Sequence, residues 1–216
     1  MANHILKSTS LYTLGKTTRK ALEKLDSSPF FNETAAYLAG GSGLAIHLGH
    51  RYSYDLDFFT RKDFHEDYIL DLLDESGKFK LERRGWKTIL GTFEDIKLSL
   101  FFYKYPLLLP PKKIFSNTNL ASLKDIAAMK VAAISDRGTK RDFIDLYFLL
   151  SHFPLEKILK YYDQKYQNLG VNRIHILKSL VYFADAEKDT KPKMIQAANW
   201  EEVKNLIKEK VKSLRP

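Results

Sequence analysis

The feature that most constrains the fold of this 216-residue chain is a glycine-rich turn between two apolar stretches, within residues 40–59. Gly40 and Gly41 follow a short apolar run that is typical of a strand, and Gly49 marks the end of a brief apolar helix. Polar and apolar residues then alternate over residues 53–59, which predicts a second strand. This strand–turn–helix–strand order predicts a small α/β unit.

The second strand of this unit carries two carboxylates at positions i and i+2. Side chains alternate across a strand, so Asp55 and Asp57 should point to one side while Leu56 and Phe58 point to the other. Two neighbouring carboxylates repel each other unless a cation lies between them. Backbone amides at the glycine turn can hold phosphate, and Ser42 is placed to cap the helix. The unit therefore predicts a site for a magnesium–nucleotide complex.

The glycine turn and the paired acids are each ambiguous when taken alone. A Gly-Gly pair often does no more than end a strand, and alternation describes any half-exposed strand. Two histidines, His47 and His50, lie three residues apart in the same unit, but no third ligand accompanies them to indicate a zinc site.

A second cluster of charged residues lies further along the chain. Lys130 falls within the apolar stripe of a predicted helix, and Asp145 is bracketed by apolar residues. A buried acid needs a cationic partner, which Lys130, Arg137 or Arg141 could supply. Two interpretations remain open for this cluster, which also contains Asp142: a structural salt bridge between helices, or a basic–acidic group that faces a nucleotide across a cleft.

The order of elements indicates an α/β (α+β) protein with a mixed sheet followed by a helical C-terminal region. Strands are expected at 36–39, 53–59, 78–83, 86–93 and 96–102, and Glu94-Asp95 joins the last two as a hairpin. Helices are expected at 17–25, 42–49, 65–73, 126–135, 141–150, 155–167 and 171–184, with a final one capped by Asn199 and Glu202. Thr17 is expected to cap the first of these helices, and Ser122 and Asp125 form a capping-box-like pair ahead of the helix at 126–135. We expect an α/β domain over residues 1–115 and a helical domain over residues 116–216.

Composition limits the cellular setting and the class of partner. The formal net charge of +9 favours polyanions such as RNA, although a solvated lysine-rich surface would give the same value. The chain has no cysteine, which excludes disulfides and thiolate metal sites. Residues 1–7 lack an apolar signal core, and no apolar run is long enough to span a bilayer. We therefore expect a cytoplasmic protein without a membrane partner.

The chain carries two motifs in a fixed order. The first is Gly40-Gly41-Ser42, then His47-Leu48-Gly49-His50-Arg51, Ser53 and Asp55-Leu56-Asp57-Phe58-Phe59; the second is Lys130, Arg137, Arg141-Asp142 and Asp145-Leu146. Together they resemble the nucleotidyltransferase-like AbiEii/AbiGii toxin family over residues 36–150. The resemblance implies a minimal nucleotidyltransferase fold of the DNA polymerase β type, and a nucleoside triphosphate used with Mg²⁺ or Mn²⁺. It also implies the toxin of an abortive-infection or type IV toxin–antitoxin pair, with RNA or tRNA as acceptor and a neighbouring antitoxin regulator.

The resemblance also assigns roles to residues of this chain. Asp55 and Asp57 would bind the metal ions, and Gly41 and Ser42 would hold the β- and γ-phosphates. The full set of nucleotide- or phosphate-binding candidates is Gly40, Gly41, Ser42, Arg51 and Arg137, and the catalytic candidates are Asp55, Asp57, Lys130, Asp142 and Asp145.

One departure from the family pattern concerns a third carboxylate, which nucleotidyltransferases usually place on a neighbouring strand. The corresponding strand, at residues 96–102, carries Lys97 and Ser99 on its outward face and no acid in its interior. Glu94, Asp95 or Asp142 could substitute for it. Three hypotheses follow: an active nucleotidyltransferase, a catalytically degenerate nucleotide- or RNA-binding protein, and a kinase-like, protein-modifying enzyme.

Overall fold

The computed structural model describes residues 10–167, 170 and 172–214 of the chain. Its helices are α1 (Lys16–Asp26), α2 (Phe30–Thr34), α3 (Gly40–Leu48), α4 (Glu66–Ser76), α5 (Leu123–Asp136), α6 (Lys140–Leu150), α7 (Leu155–Tyr166), α8 (Arg173–Ser179) and α9 (Trp200–Lys212). Its strands are β1 (Tyr37–Leu38), β2 (Leu56–Thr60), β3 (Phe79–Gly85), β4 (Thr88–Phe93), β5 (Ile96–Phe102), β6 (Lys112–Lys113) and β7 (Asn119–Leu120). The N-terminal segment that was predicted to lack a signal core, and the predicted helix start at Val171, lie outside the described residues.

The strands form one mixed sheet, as predicted, in the order β3-β4-β5-β2-β1-β7-β6. The central pair, β2 and β5, is parallel, whereas β1 runs antiparallel to β2 and β4 antiparallel to β5. Glu94 and Asp95 form the predicted hairpin turn between β4 and β5, and both have positive φ angles, of 52° and 61°. A two-residue turn with two positive φ angles matches the twist of the strands that it joins.

The two faces of the sheet bury separate apolar clusters. Leu56 and Phe58 of β2 pack with α1, α2 and α4 on one face. Tyr37 of β1 and Phe59 of β2 pack with helices α5–α9 on the other. Asp57 therefore points toward the helical half of the protein, because it alternates with Leu56 and Phe58 along the strand. The last pairing with β1 is made by β7, a few residues beyond the predicted domain boundary at 115, and the division into two domains stays a prediction.

Several predicted helix caps can be checked directly. Ser122 Oγ accepts from the backbone amide of Asp125, and Asn199 accepts from the amides of two residues in the first turn of α9, as predicted. The prediction that Thr17 caps α1 is wrong, because the helix already begins at Lys16. Ser42 does not cap α3 either, since that helix begins at Gly40 and leaves Ser42 inside its first turn. Within the described ranges, no helix is both long and apolar enough to cross a membrane.

Candidate active site

The glycine turn brings the start of α3 against the edge of strand β2. Gly40 has a positive φ of 60°, and a Cβ at this position would lie only 2.9 Å from the Asp57 carboxylate. A Cβ on Gly41 would lie 2.6 Å from Nη2 of Arg51. Both distances are too short for a Cβ unless the neighbour moves, and the positive φ of Gly40 also favours glycine there. The turn is therefore packed between an acid on one side and a guanidinium on the other.

Ser42 connects the helix to the segment that leads into β2. Its hydroxyl donates to the carbonyl of Asp55, and its Oγ lies 2.9 Å from Oγ of Ser53. The side chain is fully buried. The Ser42 hydroxyl is thus engaged within the protein, whereas the amides of the first turn of α3 have no partners inside the helix. Any phosphate contact at this position would come from the backbone.

The two candidate metal ligands differ in exposure. The prediction that β2 begins at Ser53 is wrong: the strand begins at Leu56, so Asp55 lies just before it, with 42% of its side chain exposed. Asp57 lies inside the strand and is paired in register with Ser99 of β5. Burial, followed by the negative charge of Asp55, raises the pKa of the Asp57 carboxyl above its usual range. The site thus holds two acids that repel each other, one of them half-buried.

No cation of the described part of the chain neutralises Asp57 through an ion pair, and Arg141 reaches Asp55 only at 3.8 Å. Among the residues that the structure describes, no third acidic or imidazole side chain joins them to form a complete metal cluster. Mg²⁺ is commonly held by one or two carboxylates together with phosphate oxygens of a substrate. The pair therefore fits a divalent ion that arrives with a nucleotide.

Strand β5 confirms that Lys97 and Ser99 lie where a third carboxylate was expected, beside the acidic pair. The proposed substitutes Glu94 and Asp95 are in the hairpin at the start of β5, five and four residues before Ser99. Glu94 binds Lys24 at 2.5 Å, and Asp95 binds Lys78 at 2.9 Å. Neither acid can join the site from that turn, because each lies a strand's length from Asp57.

The second motif forms a buried ion network between helices α5 and α6. Lys130 Nζ lies 2.9 Å from the Asp142 carboxylate and 2.6 Å from that of Asp145. Arg137 and the Thr139 hydroxyl also donate to Asp142. Burial alone would raise the pKa values of both acids, but the adjacent cations hold them below the usual range. Asp142 therefore has no free oxygen to offer as the missing third carboxylate.

This network reaches the glycine turn through Arg51, which follows α3. Arg51 forms a two-bond pair with Asp145, at 2.7 and 2.9 Å, and also donates to Tyr52 and Ser53. His50 contributes a further hydrogen bond of 2.8 Å to Asp145. Arg51, predicted to bind phosphate, is instead buried behind Gly41 and engaged by protein groups.

Two roles were not predicted from the sequence. His50 was considered only as a metal ligand, and its bond to Asp145 crosses 95 positions of the chain, so no local pattern announces it. Thr139 was overlooked, although Thr139 and Asp142 have the spacing of a helix-capping pair, which was an available signal.

Two cavities adjoin the acidic pair. The first, of about 460 Å³, is lined by Asp55 together with the cationic side chains of Lys97, Arg141 and Lys193. The second, of about 890 Å³, is lined by Gly40, Gly41 and Asp57 at one end. Lys130 and Arg137 also line the second cavity, which we call the aromatic cleft. The acidic pair thus separates a basic cavity from a larger cleft.

The aromatic part of the cleft wall comes from the sheet, the segment after β5 and α7, and α5 forms another part of the wall. Its aromatic residues are Phe59, Phe101, Phe102, Tyr103, Tyr105, Tyr162 and Tyr166. Phe59 and Phe101 stack with ring centroids 5.4 Å apart, and Tyr103 meets Phe59 edge-on. Because Phe59 follows Asp57 by two residues, and Phe101 follows Ser99 likewise, these rings share the face of the acid. An apolar wall next to a charged centre suits a ligand with a flat ring and a phosphate chain.

Comparisons with known proteins agree with this geometry. Residues 20–213 match the family model described as the nucleotidyl transferase AbiEii toxin of type IV toxin–antitoxin systems. An uncharacterized protein of Aquifex aeolicus is 40% identical over 207 residues, which covers 92% of this chain and 96% of that protein.

Solved structures with a similar fold include two bacterial proteins. JHP933 from Helicobacter pylori has a TM-score of 0.55 at 16% identity, over 96% of this chain and 92% of that one. The nucleotidyltransferase toxin MenT4 from Mycobacterium tuberculosis has a TM-score of 0.55 at 17% identity, over 100% and 91% of the two chains. At these identities the structural similarity shows the fold alone, and the family assignment depends on the match to the family model. The chain belongs to the AbiEii family of nucleotidyltransferase toxins of type IV toxin–antitoxin systems.

Proposed function

We propose that this protein transfers a nucleotide from a nucleoside triphosphate to the end of an RNA acceptor, tRNA being the leading example, with Mg²⁺ or Mn²⁺ bound at Asp55 and Asp57. The observation that carries the proposal is the contact of Gly40 with Asp57, which places the first turn of α3 beside an acid without a cationic partner. A helix start attracts phosphate and a carboxylate pair attracts a divalent cation. Their adjacency therefore suits one metal–phosphate ligand.

The surroundings of the pair suggest how the nucleotide lies. The amides of Gly40 and Gly41 would hold phosphate oxygens, and the half-exposed side chain of Arg137 faces the same cleft. The base and ribose would occupy the aromatic cleft, where Phe59 and Phe101 offer ring surfaces. This placement leaves the phosphate chain over the acids and the base over the apolar wall.

The chemistry of the transfer is attack by an acceptor hydroxyl on the α-phosphorus. The new phosphorus–oxygen bond forms as the bond to the bridging oxygen breaks, the hydroxyl proton is released, and pyrophosphate leaves. When bound at Asp55 and Asp57, the metal would neutralise the phosphate charge and stabilise the entering and departing oxygens. The two carboxylates fix where that charge neutralisation occurs, which is the main requirement of phosphoryl transfer.

The buried network is assigned a positioning role in this scheme. Lys130 binds both Asp142 and Asp145, and Asp145 holds Arg51 against Gly41. Loss of Asp145 would release Arg51 and shift the turn that we expect to hold phosphate. Displacing positioned groups by about 1 Å can cost about a hundredfold in rate.

The test is a transfer assay with nucleoside triphosphates labelled at the α-phosphate, total tRNA and Mg²⁺. We expect label to move to RNA for at least one nucleotide, and Asp57→Asn to abolish the transfer. Asp71→Asn, a change of an exposed acid on α4, is the matched control and should retain full activity. If no nucleotide label moves in the parent protein, the transferase hypothesis fails.

Two alternatives have defined outcomes in the same assay. Lys97 and Ser99 in place of an acid favour a degenerate binding protein, for which nucleotide or RNA would bind without transfer. A kinase-like, protein-modifying enzyme would move label from the γ-phosphate and not from the α-phosphate.

The toxin role has its own test in cells. Expression in a bacterial host should arrest growth, and Asp55→Ala or Asp57→Ala should relieve the arrest. Co-expression of a regulator encoded beside the toxin gene should protect cells that make the active protein. Equal toxicity of the parent and the two variants would contradict an active-site cause.

A further inference from the structure

The most exposed large apolar side chain in the described part of the protein is Trp86, with 77% of its surface accessible. It lies in the two-residue turn between β3 and β4, and its ring contacts Phe102 edge-on with centroids 5.9 Å apart. An exposed tryptophan on a short, ordered turn is uncommon, because such a ring is usually buried or used for binding. Its environment indicates what it binds.

Trp86 lies at the end of strand β5, against Phe102, which is the last residue of that strand and borders the aromatic cleft. The backbone amide of Phe102 donates to the carbonyl of Lys87 at 2.9 Å. The Phe102 side chain alternates with that of Phe101 and packs on the opposite face of the sheet, with α1, α2 and α4. Ser99, the in-register partner of Asp57, lies three residues earlier, so about 10 Å of strand separates the acidic pair from the end of the sheet where Trp86 lies.

The same end of the sheet gathers cations without acidic partners. The hairpin cations Arg84 and Lys87 pair with Asp67 and Asp63. No such ion pair is formed, within the described residues, by the exposed side chains Arg61, Lys62, Arg83 and Lys104. Arg61 and Lys62 follow Thr60, which pairs with Phe102, and Lys104 comes two residues after Phe102, so these cations flank the wall near Trp86.

A flat exposed ring among unpaired cations suits a ligand that has both stacked rings and negative charge. Single-stranded nucleic acid has both, and its bases stack on exposed aromatic side chains. A protein partner would favour a contiguous apolar patch, whereas the side chains of β3 next to Trp86 are charged: Glu82, Arg83 and Arg84.

We propose that Trp86, Phe102 and the cations Arg61, Lys62, Arg83 and Lys104 form a track for the single-stranded end of the acceptor RNA. A base a few nucleotides from the reacting hydroxyl stacks on Trp86, while the phosphates meet the cations. The inference rests on the proposed function in one respect, namely that the end of the RNA strand runs toward Asp57. The binding surface itself can be tested without any transfer reaction.

The test measures tryptophan emission of the full chain on titration with a short single-stranded RNA. The protein has two tryptophans, and the second, Trp200, packs against Phe143 and Phe183 and donates to Glu187, so Trp86 should give the response. We expect RNA to quench the emission of the parent protein. Trp86→Phe should bind RNA with most of the quenching lost, and Trp86→Ala should bind about tenfold more weakly.

Matched variants separate stacking from charge and from folding. Tyr182→Ala removes another exposed ring, 59% accessible, and should leave RNA affinity unchanged. Arg83→Glu with Lys104→Glu should weaken binding and reduce its dependence on salt. Because Trp86→Phe keeps an aromatic ring on Phe102, it controls for loss of the folded hairpin.

Three outcomes would overturn the track: affinity for RNA that is unchanged in Trp86→Ala, quenching by polyglutamate equal to that by RNA, or tighter binding of duplex than of single strand. The proposed function fails separately. If RNA binds at Trp86 but no nucleotide label moves, the track stands and the transferase proposal falls. If label moves equally in the parent and in Trp86→Ala, for long acceptors as well as for a dinucleotide, the track falls and the transferase proposal stands.

Discussion

The two pairs of aspartates in this protein have opposite electrostatic surroundings, although both lie close to the same glycine turn. Asp142 and Asp145 are buried and bound by lysine and arginine side chains, so their charges are neutralised within the protein. Among the described residues the one ion pair of Asp55 and Asp57 is the 3.8 Å contact of Arg141 with Asp55. Lys130 and Arg137 offset the charge of Asp57 only in part, because burial and the charge of Asp55 still raise its pKa. The first pair stabilises the fold at neutral pH, whereas the second lowers stability until a cation binds.

This difference separates two kinds of acidic motif that look alike in the sequence. A buried acid with all its cations present is part of a scaffold, because its pKa is held low and its oxygens are occupied. A half-buried acid that has a raised pKa and no ion-pair partner within the described residues favours the binding of a cation, and such perturbed acids are common at functional sites. Four predictions test this contrast.

The largest effect is expected at the uncompensated pair. Asp57→Asn should lower nucleotide transfer at least a thousandfold, or about 4 kcal/mol of transition-state free energy, since it removes a proposed metal ligand. The same change should raise the free energy of unfolding at pH 7 without metal. The pKa of Asp57 is higher in the folded state than in the unfolded state, so at a pH above the unfolded pKa its ionisation destabilises the folded protein. Asparagine has no charge and removes this destabilisation. Denaturant unfolding and the transfer assay measure both; a loss of stability would contradict the comparison.

Asp145→Asn should have the opposite effect on stability and lower the free energy of unfolding. It leaves Lys130 and Arg51 buried beside a neutral group, and breaking such a pair costs about 3–5 kcal/mol of unfolding free energy. Asp163→Asn, which removes an exposed pair with Arg173, is the control and should change stability by less than about 1 kcal/mol. Denaturant midpoints of the two variants measure this difference. Equal midpoints would show that the buried network does not stabilise the fold.

Gly41→Ala tests the contact that links the two aspartate pairs. The new Cβ would lie 2.6 Å from the Arg51 guanidinium, which Asp145 holds in place, so the variant should lose about 1–3 kcal/mol of unfolding free energy. Gly85→Ala, where the nearest heavy atom is 3.9 Å away, should be close to neutral. Thermal melting of the two variants measures the difference. A stable, active Gly41→Ala protein would mean that Arg51 is free to move.

The smallest effect is a difference in the pH dependence of stability. The pKa of Asp142 is lowered in the folded state, so its contribution to stability is complete above the unfolded pKa and is lost as pH falls toward the folded pKa. The stability gap between the parent protein and Asp142→Asn should therefore be largest near neutral pH. It should shrink by about 1–2 kcal/mol on acidification below pH ~4. Urea unfolding across that range measures it, and a gap that widens in acid would reverse the assignment.

Features of this protein that are set by a few neighbouring residues could be predicted from the sequence, whereas those set by long-range pairing could not. The glycine turn, the hairpin at Glu94-Asp95 and the cap at Ser122 were predicted, because each is set by a few neighbouring residues. The start of β2 was misplaced by three residues, since alternation continued through Ser53 and Asp55 while the pairing with β5 begins only at Leu56. Ser42 resembled a cap, but the hydroxyl bonds instead to the segment before β2.

By itself, the sequence determined the α/β unit, the two motifs and the family to which they belong, because these depend on residue order and spacing. Only the tertiary structure decided which acids keep a free charge. Lys130 could reach either aspartate or neither from its position on α5, and Arg51 meets Asp145 across 94 positions of the chain. Neutralisation depends on distances of a few ångströms between remote elements, and folding sets those distances. The contrast between a neutralised and an unneutralised pair therefore belongs to the folded protein.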